Sequence, residues 1–353
     1  MTGSSTKPSN HMPQLDSLRG LAVASVVYYH WTPEQYHGGL PLWGGVPLFF
    51  VLSGFLISSI LLECRAFGRP WYSLRSFYMR RILRIIPLVY LVLFCGYFLR
   101  VNGMQDTFVW NITFLTNVYV FLQQRWIGCT GHLWSLAVEE QFYLIWPAIV
   151  LWVRPNRLLH SFCGLCFVGF VSLFVSTLVF SNYKMVGVLL PGNLLPLGLG
   201  SLLALRRLHP RLIAILTQVS IGALPAFALT TAIISCKFQL PCIFEVSYCC
   251  MVVSFFWLVS RASYGFKGVV GYILTLRCLT YLGRISYGIY VLHNFGDFQV
   301  GVFCKKILGV SPGALTGTEM LYIKSCATLF GAIASWHVLE FNVNSLKRFF
   351  PYR

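Results

Sequence analysis

Acidic side chains are scarce in this sequence. Of 353 residues only 10 are Asp or Glu, against 27 Lys or Arg, and charged residues of both signs make up 10%. Soluble domains carry about 25% charged residues, so this composition excludes an ordinary water-soluble fold. Long polar stretches are missing too, which leaves no extramembrane region large enough to build its own core. No internal repeat is visible. The segment before Leu15 lacks a basic n-region, an apolar h-region and a small-residue cleavage site, so no cleavable signal peptide is expected. Cysteine is present at 12 positions, mostly inside apolar runs, where a thiol acts as a small hydrophobe. Cys163 and Cys166 have CxxC spacing but sit among Leu, Phe and Val, which argues against metal or redox use. Cys236 and Cys242 flank a short loop and could form a disulfide.

What the sequence has is apolar runs. They read as ten membrane spans, at about 15–31, 46–62, 82–99, 133–153, 160–181, 186–205, 212–235, 241–260, 285–304 and 319–341. A weaker run, 108–122, is broken by Asn111 and Asn117 and suits a re-entrant or interfacial segment. Asn111-Ile112-Thr113 also fits an N-glycosylation acceptor. The expected class is an all-α polytopic membrane protein of about ten transmembrane helices. Residues 1–14 form a polar tail, 15–341 one transmembrane domain and 342–353 a basic tail. Placing both termini in the cytoplasm leaves only Arg100, Arg125, Lys184, Lys237, Lys305, Lys306 and Lys324 outside; every other Lys and Arg falls inside, as the positive-inside rule requires. The formal charge of +17 then reflects orientation and attraction to anionic headgroups, not nucleic acid. An integral inner or plasma membrane location follows.

Polar residues within the spans are the candidates for chemistry, because burying them there costs free energy. Arg19 and His30 are eleven residues apart. On a helix that is three turns plus about 20°, so they share a face roughly 16 Å apart along the axis. The alternative is that Arg19 snorkels to a headgroup and His30 lies in the interface. Asp16 or a glutamate is the expected partner of Arg19. Arg80, Arg81 and Arg84 enter the third span. Arg81 and Arg84 share a face and suit a polyanion such as a pyrophosphate, or else anchor the helix end. Glu139 and Glu140 open the fourth span about 100° apart, so at most one faces a given neighbour. Ser286, Tyr287, Tyr290 and His293 mark the ninth span; His337 and Glu340, three apart on one face, mark the tenth. Ser53-Gly54 reads first as close helix packing.

In chain order stand LDSLRGLAVASVVYYH, PLFFVLSGFLIS, FYMRRILRIIP, HLWSLAVEEQFYLIWP, SYGIYVLH and a Glu near the last helix end followed by basic residues. Together these resemble the membrane acyltransferase 3 family, which includes O-acyltransferases of O-antigen, peptidoglycan and macrolides. The resemblance covers essentially the whole chain. Some members append an extracellular SGNH domain; this chain ends soon after the last span, so none is expected. The resemblance implies that His30 is the base or acyl carrier, paired with Arg19, and that Arg81 and Arg84, with Arg80 beside them, bind the phosphates of acyl-CoA. It implies Glu139, or alternatively Glu140, as the acidic residue, and supporting places for Gly54 and His293.

The expected function is an integral membrane O-acyltransferase, most simply an O-acetyltransferase. It would move an acyl group from acetyl-CoA or another acyl-CoA to a hydroxyl of a surface carbohydrate such as lipopolysaccharide O-antigen, or of a lipid-linked saccharide. No metal is expected. One alternative is a macrolide or natural-product O-acyltransferase. Another is a lipid-linked saccharide transporter, which should show repeat symmetry and would not need the RRILR cluster.

Overall fold

The computed structural model describes residues 12–352 except 38–40, 181, 237–241, 297, 299–300, 302–303, 305–308 and 310–315. Among the described residues the structure is helical, without strands. The expected spans fall on α1 (Pro13–Trp31), α2 (Gly45–Arg65), α3 (Pro70–Phe98), α6 (Trp134–Trp152), α7 (Leu158–Val179), α9 (Leu190–Ala204), α10 (Pro210–Ser220) with α11 (Ala223–Ser235), and α12 (Ile243–Tyr264). The ninth begins at α15 (Ser286–Leu292), and its second half lies largely outside the described residues. The last is α16 (Gly317–Ser335), continued by one π-helical turn (Trp336–Glu340) and α17 (Phe341–Ser345).

Among the described residues, five stretches are long and apolar enough to cross a membrane: Leu42–Arg65, Pro70–Phe98, Pro155–Val179, Pro210–Ser235 and Ile243–Tyr264. In Pro155–Val179 and Pro210–Ser235 the apolar surface faces outward, with Phe167, Leu178, Val219 and Leu229 exposed. A helix that is apolar and unburied has lipid as its solvent. This is a multi-pass membrane protein.

Two features depart from the sequence reading. The third helix starts at Pro70, about twelve residues earlier than expected, so the basic stretch is helical rather than a link. Arg80, Arg81 and Arg84 therefore stand on the wall of a long helix. In the last helix the π turn has i→i+5 bonding, which lowers the rotation per residue. Residues three apart then no longer share a face. His337 bonds Tyr281 (3.2 Å) while Glu340 turns inward to Ser335 (2.8 Å), and the expected pairing does not form.

The broken run 108–122 is two short helices, α4 (Met104–Ile112) and α5 (Thr116–Gln123), joined through Phe114 at φ +54°. Irregular backbone in an apolar bundle must find partners inside the protein. Gln141 donates to the Phe114 carbonyl (3.0 Å) and Tyr90 to that of Ile112 (2.7 Å). Asn111 is buried, donating to Thr107 (3.0 Å) and accepting from Thr116 (2.8 Å), so the sequon is structural. Cys163, Cys166, Cys236 and Cys242 are all free thiols.

The helices approach through glycine. A Cβ at Gly54 would sit 2.1 Å from the Leu197 carbonyl oxygen, and one at Gly200 would sit 2.0 Å from that of Val51; α2 and α9 thus meet backbone to backbone. Likewise a Cβ at Gly283, in α14 (Arg277–Arg284), would lie 1.9 Å from the Asp16 carbonyl of α1. Small residues at contacts are the usual route to tight helix association in lipid. Gly283→Ala should therefore lower the melting temperature in detergent, at a cost of about 1–3 kcal/mol from overpacking. Gly164→Ala, beside open space, should be neutral or stabilising. Equal melting curves for the two variants would show that the α1–α14 contact does not limit stability.

Candidate active site

A cavity of about 200 Å³ lies among α1, α2, α3, α6 and α15. Its polar lining includes Arg19, Ser53, Arg81, Arg84, Ser135, Glu139, Tyr143, Tyr287 and Tyr290. Residues spread over 272 positions of chain converge here, while apolar side chains such as Phe49, Phe50 and Ile57 complete the wall. The volume is below that of drug-sized ligand sites. It can take an acyl group or a slender chain, not a nucleotide.

Glu139 is the carboxylate at the centre. Ser53 donates to one of its oxygens (2.7 Å), and Tyr143, one turn along α6, donates to the other (3.2 Å). Gly54 sets this geometry indirectly: its close contact with α9 fixes the α2 backbone beside Ser53. Glu140 points away from the cavity, and its buried Oε1 has no hydrogen-bond partner. Arg19 and Arg81 both lie within electrostatic range of Glu139, so a glutamate does stand near Arg19. The Arg81 guanidinium sits 5.6 Å from the ring centroids of both Phe77 and Tyr143, and Arg84 sits 5.8 Å from Trp336. The buried Nε atoms of Arg19 and Arg81 lack hydrogen-bond partners. Three guanidiniums facing one carboxylate leave a net positive cavity, suited to an anionic or strongly polarised ligand. Arg80 is elsewhere: its Nη1 donates to the carbonyls of Lys347 (2.9 Å) and Phe350 (3.2 Å).

His30 does not line this cavity. It is exposed near the end of α1, in a cluster with two buried histidines. His293 Nε2 lies 3.1 Å from His30 Nδ1, and the His132 and His293 rings are 4.7 Å apart. The tautomers follow from what each partner can do. A carbonyl only accepts, so His293 Nδ1, 2.7 Å from the Tyr290 carbonyl, carries the proton. Its Nε2 then accepts in the neutral ring, and His30 donates through Nδ1. That leaves Nε2 as the lone-pair nitrogen of the His30 ring. His132 Nε2 donates to the Val291 carbonyl (3.3 Å), and its buried Nδ1 has no partner.

Tyr290 joins cavity and cluster. Its hydroxyl donates to the His132 carbonyl (2.7 Å) and accepts from Ser135 (2.5 Å), while its own carbonyl holds His293. The sequence reading gave no role to His132, Ser53 or Tyr143. A signal existed for His132, which precedes Glu139 by seven residues, close to two turns. Ser53 had none, since its partner is 86 residues away.

The acyltransferase domain profile of the acyltransferase 3 family matches residues 12–337. The peptidoglycan O-acetyltransferase OatA of Listeria monocytogenes is 35% identical over 174 residues, covering 44% of this chain and 27% of that protein. The O-acetyltransferase OatA of Staphylococcus aureus (strain NCTC 8325 / PS 47) is 34% identical over 166 residues, covering 43% of this chain and 26% of that protein. The chain thus spans about a quarter of the length of these curated relatives. No solved structure matches. With the family profile extending over nearly the whole chain, this protein belongs to the acyltransferase 3 family.

Proposed function

We propose that the protein is an integral membrane O-acetyltransferase that takes its acyl group from acyl-CoA and delivers it to a hydroxyl of a surface carbohydrate. The observation that carries this reading is the pairing of a positively charged cavity with an imidazole whose Nε2 is free. The topology we propose has ten crossings with both termini cytoplasmic, which puts Arg81 and Arg84 toward the cytoplasm and His30 toward the outside. Arginines near the cytoplasmic face would hold the phosphates of the donor, and the slender pantetheine arm would run through the cavity, past Tyr290, toward His30.

In this reading the acceptor hydroxyl attacks the thioester carbonyl carbon as its proton passes to His30 Nε2. The tetrahedral intermediate collapses with loss of the thiolate, which takes the proton back. His293 holds the His30 ring by its other nitrogen, as a histidine base requires. Glu139, fixed by Ser53 and Tyr143, keeps Arg19 and Arg81 in place. The relatives' names favour peptidoglycan over lipopolysaccharide O-antigen as acceptor. Both present sugar hydroxyls, and acetyl is the acyl group those names favour.

The full-length protein with labelled acetyl-CoA should transfer acetyl to peptidoglycan fragments in preference to O-antigen saccharides; the reverse preference would move the acceptor back to O-antigen. His30→Ala should lose about 10²- to 10⁴-fold in rate, the usual contribution of a general base. Its melting temperature should fall only modestly, because the exposed ring has one contact to lose, that to the buried His293 Nε2. Undiminished transfer by this variant would remove His30 from the chemistry. Arg81→Ala with Arg84→Ala should raise KM for acetyl-CoA by about tenfold or more, at one lost charge-assisted contact or greater. An unchanged KM would return these arginines to membrane anchoring.

A further inference from the structure

The C-terminal segment folds back onto α3. Arg80 is fully engaged by it, donating to the Lys347 and Phe350 carbonyls and lying 4.6 Å from the Tyr352 ring centroid. This strap carries the Lys347 ammonium to within electrostatic range of Arg80, Arg81 and Arg84. Lys347 is half-buried and, like Arg81 and Arg84, makes no hydrogen bond or ion pair with a described residue. Among the described residues the opposing charge in range of Lys347 is Glu340, whose Oε2 is buried without a hydrogen-bond partner, while Glu139 and Glu140 lie in range of Arg81. Gathering four cations against three carboxylates at a half-buried place costs free energy. A structure holds such an arrangement when a polyanion completes it.

We propose that the segment Leu346–Tyr352 is one wall of the donor-phosphate site and that Lys347 is a phosphate ligand there. This rests on the reading of acyl-CoA as donor and extends the site beyond the arginines of α3. The three free cations divide by position. Arg81 lines the cavity, Arg84 lies between cavity and strap, and Lys347 stands on the strap side. A phosphate-bearing end held there would leave its thioester arm directed into the cavity.

The site also carries a proton linkage. Burial first, then the positive charges of Arg84, Arg81 and Arg80, push the Lys347 ammonium down to about 7, with Glu340 acting weakly the other way. A bound phosphate favours the charged form. The Lys347 contribution to donor affinity should therefore be full below pH 7 and fall as pH rises through it.

Coenzyme A binding to the full chain in phosphatidylcholine nanodiscs tests this. Lys347→Met should weaken Kd about tenfold at pH 6, the scale of one hydrogen bond to a charged group. Lys347→Arg should keep the wild-type Kd at pH 6 but hold it at pH 8.5, where the wild type weakens, because a guanidinium does not deprotonate. Unchanged binding by Lys347→Met, or a loss of affinity from pH 6 to pH 8.5 that survives in Lys347→Arg, overturns the proposal. If the Met variant instead binds coenzyme A normally and only loses competition by added phosphatidylglycerol, the cluster is a lipid headgroup site and the proposal falls. No coenzyme A binding by the wild type overturns the donor reading itself, and this inference with it.

Discussion

Arg19, Arg81 and Arg84 share a small cavity with a single carboxylate, inside a bundle whose other walls are aliphatic and aromatic. Charges in such a place are costly unless geometry compensates them closely. Much of the architecture can be understood as that compensation. Ser53 and Tyr143 satisfy both oxygens of Glu139, so the carboxylate is held where two guanidiniums can use its field. Phe77, Tyr143 and Trp336 lie within cation–π range of the arginines. The close glycine contacts bring these groups within reach. Without Gly54 and Gly200 at the α2–α9 crossing, or Gly283 against α1, the helices would stand further apart and the contacts would lengthen.

The fold was largely legible in the sequence because apolar runs declare membrane helices whatever their neighbours. That Arg19 and His30 lie on one helix, α1, was legible for a similar reason, but not that Arg19 lines the cavity while His30 stands outside it. What could not be read depends on contacts between distant segments. Adjacent glutamates are equivalent in sequence, and only the packing of α6 turns Glu139 to the cavity and Glu140 away from it. The His30–His293 contact spans 263 positions. The π turn after Ser335 adds a local deviation that no periodicity announces, and it separated His337 from Glu340. Nor do Arg80, Arg81 and Arg84 reveal their different partners. All three are basic and adjacent, yet Arg80 is spent on backbone carbonyls.

Cavity and histidine cluster are linked through Tyr290 rather than forming one site. Tyr290 belongs to both: its hydroxyl is in the cavity wall, and its carbonyl fixes the His293 proton. A displacement of α15 would therefore be felt in both. The neutral tautomer chain runs outward from a carbonyl that cannot donate, through His293, to His30. Its direction is imposed by the backbone and not by the side chains, so the free lone pair is a property of the fold. His132 also packs edge-on against His293.

The division among the α3 arginines follows from helix geometry. Arg80 and Arg81 are about 100° apart, and Arg84, one turn further on, projects between them. One flank of the helix thus meets the C-terminal strap and the other meets the cavity, with Arg84 between the two. Guanidinium chemistry suits both tasks. One guanidinium nitrogen can donate to two carbonyls at once, as Arg80 Nη1 does, and a free planar fork can grip a phosphate. The strap is consequently held by a residue adjacent to those it helps to enclose. Any movement of the C-terminal segment must then alter the electrostatic surroundings of Arg84 and Lys347 together. That coupling ties the last residues of the chain to the same cavity that the first helix enters through Arg19.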